Sequence, residues 1–254
     1  MRRRRVDERE GRRFPRARVG IGEGRGSTRL GGVEGLPHVD PASAPQKSEV
    51  RLARGGGGVQ KKLEDAVAEE AANHPERPVE VFASDEHRLG LKPVTRRVWA
   101  PIGERPIAYG HHRFDWLYVT AFVSPASGET FWYVHDGVSK PFFAALLECF
   151  AREAQAGVDR TIVLVIDNAG WHGEAGLSVP DGVRLVFLPP YTPELQPAET
   201  LWALVDEPIV NKHVETIDEL DAIIGERCAA LANERDIIKS RAGFHWWPKI
   251  ITPN

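Results

Sequence analysis

Apolar residues recur along this chain with two different periods, and the alternation between them sketches its architecture. Residues 61–72 place Leu63, Val67 and Ala71 on one side of a helix that Pro75 and Pro78 end. Residues 79–83 form a short strand whose end delivers Ser84-Asp85-Glu86-His87. Residues 94–100 and 106–109 read as extended pieces around a Pro-Ile-Gly turn. The β-rich runs 116–123 and 129–135, joined by Ser-Pro-Ala-Ser-Gly, predict a hairpin. Ser139 then caps a helix with Pro141 in its first turn. Its apolar face is Phe142, Phe143, Leu146, Leu147 and Phe150, and it runs to about residue 155.

The second half repeats the theme. Residues 161–166 are uninterrupted β-formers, as a central strand buried on both faces requires, and they stop abruptly at Asp167-Asn168-Ala169-Gly170-Trp171-His172. Residues 183–188 form another such run and lead into Pro189-Pro190-Tyr191-Thr192-Pro193, a stiff spacer. One helix is expected from near Pro197 past Trp202, and another over residues 217–231 with Thr216 as its cap. Strands and helices in this order predict an α/β fold, a mixed sheet with helices packed on it.

Composition changes this picture at one end. Residues 1–60 hold 14 Lys and Arg against 7 Asp and Glu, a net charge of +7, which leaves −10 for the rest of a chain whose total is −3. They also hold 12 of the 24 glycines and a single aromatic, Phe14, so they lack the apolar surface that offsets ordering entropy. Residues 1–60 are therefore expected to be a disordered basic segment, and residues 61–254 the folded domain. No apolar run approaches the roughly 18 residues of a membrane span, and the arginine-rich start has no apolar stretch behind it, so a cytoplasmic location is expected. Two cysteines, Cys149 and Cys228, exclude a disulfide scaffold.

Three acids stand where an α/β sheet presents its ligands: Asp85 after one strand, Asp167 at the end of the buried strand, and Glu199 early in a helix. Carboxylates gathered at one sheet edge repel each other, and a hard divalent cation such as Mg²⁺ relieves that repulsion while keeping open positions for water and phosphate oxygens. A pair of such ions can polarise a phosphodiester. Taken singly, Asp85 suits an exposed loop, and Glu199 suits the first turn of a helix on dipole grounds alone. His87, His111, His112 and His135 offer a rival Zn²⁺ or iron site with Asp85. Their spacing fits no helical ligand motif, and Arg88, Arg96 and Arg113 disfavour a further cation there.

Four stretches decide between these readings. They are Ser-Asp-Glu-His-Arg at 84–88, Trp-Ala-Pro-Ile-Gly-Glu-Arg-Pro at 99–106 and Leu-Val-Ile-Asp-Asn-Ala-Gly-Trp-His at 164–172. The fourth and longest is Leu-Pro-Pro-Tyr-Thr-Pro-Glu-Leu-Gln-Pro-Ala-Glu-Thr-Leu-Trp at 188–202. Through them, residues from about 63 to 248 resemble bacterial insertion-sequence transposases related to the mariner superfamily.

The resemblance implies a ribonuclease-H-like sheet with Asp85, Asp167 and Glu199 as its Asp-Asp-Glu triad and metal ligands. It implies cleavage of DNA at element ends followed by strand transfer, with two Mg²⁺ or Mn²⁺ ions. It also implies a TA target and a dimer on DNA. Asn168 and His172 are expected to support the site by orienting water or phosphate, and Arg88, Lys92, Arg96 and Arg97 to meet DNA. Trp171 and Trp202 are expected to pack rather than stack on bases.

The sequence also departs from such relatives. The segment before residue 60 has no amphipathic helical pair, so the helix-turn-helix module that relatives carry is expected to be absent. The interval from Asp167 to Glu199 is short, and Gln196 and Ala198 replace the Asn and β-branched residue that relatives often have. An alternative reading follows: a truncated transposase remnant, folded but inactive, serving at most as a binding protein.

Overall fold

The computed structural model of the protein describes residues 47–103, 107, 113–173, 175–243 and 247, with side chains from residue 58 onward. Five strands are found among them: β1 (Val79–Gly90), β2 (Trp116–Val123), β3 (Thr130–His135), β4 (Thr161–Ile166) and β5 (Val183–Phe187). They form one sheet in the order β3-β2-β1-β4-β5. The β1–β2 and β2–β3 pairs are antiparallel, whereas β1–β4 and β4–β5 are parallel. Helices α1 (Lys47–Asn73), α2 (Lys140–Glu153), α3 (Trp202–Asp206), α4 (Ile217–Ala232) and α5 (Arg235–Ala242) flank it. Three consecutive antiparallel strands with two further strands laid parallel beside the first is the expected ribonuclease-H-like arrangement.

Period-two alternation divides the strand residues between two cores. Val81, Ala83, Val119, Ala121, Val163, Val165 and Val186 face one layer, which they share with Leu63 of α1, Val205 of α3, and Leu220, Ile224 and Leu231 of α4. Phe82, Phe122, Ile162, Leu164 and Ile166 face the other, closed by Phe143, Leu146, Leu147 and Phe150 of α2. β4 is buried on both faces along its whole length, as its unbroken apolar run predicts. Both expected caps are present: the Ser139 hydroxyl accepts from the Phe142 N–H, and that of Thr216 from the Glu219 N–H.

Four expectations need correction. The first helix begins at Lys47 and not at residue 61. Val59 is buried with Leu63 and Ala66, which carries the apolar stripe back to the Gly55–Gly58 run, and adding turns to an existing helix costs far less than nucleating one. The remainder of the expected disordered segment, residues 1–46, lies outside the described residues.

Second, β1 continues to Gly90, so Asp85 lies within a strand and not after it; antiparallel pairing with β2 carries β1 on. Third, residues 94–100 form no strand. This segment ties instead to Asn211, whose N–H donates to the Val94 carbonyl at 2.8 Å and whose side-chain oxygen accepts from the Arg96 N–H at 2.9 Å. Residues 106 and 108–112 lie outside the described residues. Fourth, the helix expected from Pro197 starts as a 3-10 turn, Pro197–Leu201, before becoming α3.

The hairpin turn is held by Gly128, at φ 73°. A Cβ there would sit 2.2 Å from the Arg235 carbonyl oxygen of α5, so the turn has both a left-handed backbone and no room for a side chain. Gly128→Ala is expected to cost about 2 kcal/mol or more, read as a lowered urea midpoint at unchanged slope.

Candidate active site

The strand register brings the first two acids together. Parallel pairing of β1 with β4 ends at Ala83 opposite Val165. Two residues further on, each strand carries an aspartate: Asp85 on β1 and Asp167 just past β4. Both continue the alternation of Val81, Ala83, Val163 and Val165, and so fall on the same side of the sheet. Glu199 reaches that side from the 3-10 turn, whose Ala198 and Leu201 are buried in the same core.

Asp85, Asp167 and Glu199 line one cleft of about 440 Å³. Asn168, Ala169, Gln196 and the Leu188–Pro193 loop complete its walls. The Pro-rich loop is thus a wall of the site as well as a spacer, and Tyr191 stands on its rim at φ 59°, almost fully exposed. A second groove of about 430 Å³ shares Asn168, Leu188 and Pro189 with the first and extends to Lys62 on α1.

Electrostatics set the three acids apart. Burial pushes the Asp85 carboxyl up to about 7, and the charges of Glu86 and Asp167 add to the rise, against a hydrogen bond from Trp202. Burial and then the charges of Asp167 and Glu194 also raise Glu199. Asp167 is held low. Its partial burial is outweighed by hydrogen bonds from His172 and from the Ala169 N–H, the latter at 2.9 Å.

His172 lies behind the cleft, not in it. It is fully buried and packs on Phe143, with ring centroids 4.2 Å apart. Its Nδ1 donates to Asp167 Oδ1 at 2.7 Å and its Nε2 to Glu86 Oε1 at 3.0 Å. Burial works against the imidazolium, yet the two carboxylates lift its pKa to about 9. The expected contact of His172 with water or phosphate is therefore replaced by a clamp on Asp167. Asn168 donates its side-chain amide to the Leu188 carbonyl and thereby ties the ends of β4 and β5 at the cleft.

Glu86 is a residue that sequence reasoning missed. It alternates with Asp85 and points to the opposite side of β1, toward His172, and that strand alternation is the signal that was available. Trp202 is a second. Its indole N–H donates to Asp85 Oδ2 at 3.0 Å, so it does more than the expected packing. Gln196 is a third, buried and donating to the Ser84 carbonyl at 2.8 Å. Trp171 does pack as expected, partly buried against the α2 layer, with its N–H 3.4 Å from Glu86.

The basic residues do not enter the cleft. Arg88 lies over the Trp116 ring at 4.6 Å, while Lys92 and Arg97 are exposed. Arg96 is engaged with Glu207 and the Ala203 carbonyl and pins its segment to α3. The rival histidine site does not assemble among the described residues. His87 bonds Asp206 at 2.8 Å, and His135 is buried with Thr120 and the Gly137 carbonyl on its two nitrogens. His111 and His112 lie outside the described residues.

The donor set of the cleft is three carboxylates, the chemistry of a hard cation such as Mg²⁺ rather than Zn²⁺ or iron. The repulsion that adds to the effect of burial on Asp85 and Glu199 is what such a cation would relieve. Among the described residues, however, no three His, Cys, Asp or Glu side chains already stand close enough to enclose an ion. The acids border an open cleft.

A family model described as "DDE superfamily endonuclease" matches residues 80–221, more than half of the chain and a span that includes all three acids. The chain belongs to the DDE superfamily endonucleases. Among curated proteins, this chain is similar to the uncharacterized protein y4pE/y4sA of Sinorhizobium fredii. They are 31% identical over 115 residues, which is 45% of this chain and 82% of that protein. Among solved structures it is similar to the Mos1 transposase paired-end complex with left transposon end, at 12% identity over 85% of this chain and 68% of that one, with a TM-score of 0.45. It is also similar to the Mos1 mariner paired end complex with Mg, at 13% identity over 84% and 65%, with a TM-score of 0.48. The catalytic domain of Mos1 gives 10% identity over 82% and 99%, with a TM-score of 0.42. No helix among the described residues is long and apolar enough to cross a membrane.

One prediction follows from the clamp. His172→Gln leaves Glu86 buried without its cationic partner, and breaking a buried pair in this way costs about 3 kcal/mol or more. Equilibrium unfolding in urea should show that loss, with the slope retained.

Proposed function

We propose that this chain is the catalytic core of a DNA transposase that cleaves phosphodiester bonds at element ends and joins them to a target. The observation that carries the reading is the convergence of Asp85, Asp167 and Glu199, from three separate parts of the chain, on one cleft at one edge of the sheet. Asp85, Asp167 and Glu199 are the proposed ligands of two Mg²⁺ or Mn²⁺ ions. When bound, these supply positive charge against the negative charge that develops on the phosphate oxygens.

The protein's own part is placement. Asp167 is kept ionised and fixed in rotation by His172, which is fixed in turn by Glu86. Asn168 and the Pro-rich loop hold the cleft walls at a set distance from the acids. A water or a 3′-hydroxyl brought into this cleft attacks phosphorus in line; one P–O bond forms as the opposite one breaks, and the leaving oxygen takes up a proton. DNA approaches over Arg88, Lys92 and Arg97, with Lys62 at the far end of the adjoining groove; Arg96 serves the fold instead. Processing two element ends would engage two copies of the chain on DNA.

The reading is tested with a labelled duplex incubated with the full chain in Mg²⁺ or Mn²⁺, with EDTA as control. Cleaved products should end in 3′-hydroxyls, and joined products should follow. A folded chain that cuts nothing with either metal would overturn the reading in favour of an inactive remnant.

A further inference from the structure

Two cross-links join β1 to α3, and each follows from elementary periodicity. On a strand, positions i and i+2 share a face, which puts Asp85 and His87 side by side on β1. On a helix, i and i+4 share a face, which puts Trp202 and Asp206 one turn apart on α3. The pairs meet rung to rung. The Trp202 indole N–H donates to Asp85 Oδ2 at 3.0 Å, and His87 Nε2 bonds Asp206 Oδ1 at 2.8 Å. The two rungs also touch, since the His87 and Trp202 rings stack with centroids 5.0 Å apart and planes 12° from parallel.

We infer that this two-rung ladder positions the metal site, with Trp202 and His87 as positioning residues that set the Asp85 carboxylate relative to Glu199. The inference rests on the function proposed above. Glu199 lies three residues before Trp202 in the turn that leads into α3, so anchoring α3 to β1 also sets where Glu199 stands. An indole N–H is a donor only and takes one acceptor position on Asp85, which leaves the rest of the carboxylate for a cation. Stacking on His87 fixes the indole plane, and Asp206 fixes the histidine. Outer partners of this kind orient the groups that bind a metal.

The test uses the full chain and Mn²⁺ as the probe. Trp202→Phe keeps an aromatic ring for His87 to stack on and removes the N–H together with the five-membered ring that carries it. Asp206→Ala removes the other rung from outside the cleft. Calorimetric titration should show Mn²⁺ binding weakened roughly 10- to 100-fold in Trp202→Phe and by a smaller factor in Asp206→Ala. Cleavage by Trp202→Phe should recover as Mn²⁺ is raised, with KM for DNA unchanged, which a general loss of structure would not produce. If both variants melt as wild type and bind Mn²⁺ equally well, the ladder does not position the site and the inference is overturned, while the proposed function stands. If the wild type itself binds no Mn²⁺, the metal reading of the cleft fails and the ladder's role falls with it.

Discussion

Asp85→Asn and Glu199→Gln should each lower metal-dependent DNA cleavage by roughly 10³-fold, the scale seen when one preorganised electrostatic group is removed. Both substitutions keep side-chain shape and remove a negative charge from the cleft. The effect should fall on the cleavage step more than on DNA binding, because the basic residues lie outside the cleft. The double variant should be little worse than either single one, since ligands that act as a unit are not additive. Stability should rise slightly or stay level in both, because burial and neighbouring charges disfavour the ionised form of each acid. Single-turnover cleavage alongside thermal melting separates these outcomes. Additive losses of a few-fold each would mean that the two carboxylates act independently.

The largest effect on stability is expected at Phe150, far from the acids. Its ring is fully buried, stacks on Phe122 at 4.0 Å, and meets Phe82 and Phe131 edge-on at 5.4 and 5.3 Å. This cluster fastens α2 to β1, β2 and β3 at once. Phe150→Ala leaves a cavity whose walls come from three strands and cannot close together, so a loss of about 4 kcal/mol is expected. In a domain of this size that lowers the melting temperature by roughly 10 °C. Phe150→Leu, which refills much of the space, should recover over half of the loss. Urea unfolding of the three proteins measures both changes.

What could be read from the sequence was whatever depends on local pattern. Continuous or alternating apolar runs bounded by turn residues give β2 and β4 their ends, and Ser139 and Thr216 cap helices where hydroxyls precede an apolar period. Asp167 was legible because a charge placed directly after five apolar β-formers must lie at a strand end. Features set by pairing across the sheet were not. β1 extends past Ala83 only because β2 is there to bond it, and residues 94–100 have strand-like side chains but bond to Asn211 instead of to a strand. The α5 helix was missed because its residues are mostly polar, with Ile238 and Ala242 its buried positions.

The site divides in the same way. The three acids lie within long recognisable stretches, whereas their supporting partners are separated from them in sequence. Trp202 meets Asp85 across 117 positions, and Glu86 meets His172 across 86. Such partners show only when the alternation of β1 is followed residue by residue: Asp85 and His87 face α3, while Glu86 faces α2 and His172. One strand therefore supplies the cleft on one side and the clamp behind Asp167 on the other.

The central claim is that Asp85, Asp167 and Glu199 act as one metal-dependent cleavage site, and Asp167 offers the cleanest probe of it. Nicking of a labelled duplex should be compared between the full chain and Asp167→Asn, in Mg²⁺ and in Mn²⁺, with both proteins shown to be folded. The account predicts nicking by the wild type that EDTA abolishes and that Asp167→Asn lacks with either metal. Equal nicking by the two proteins, or none by a folded wild type, would contradict it.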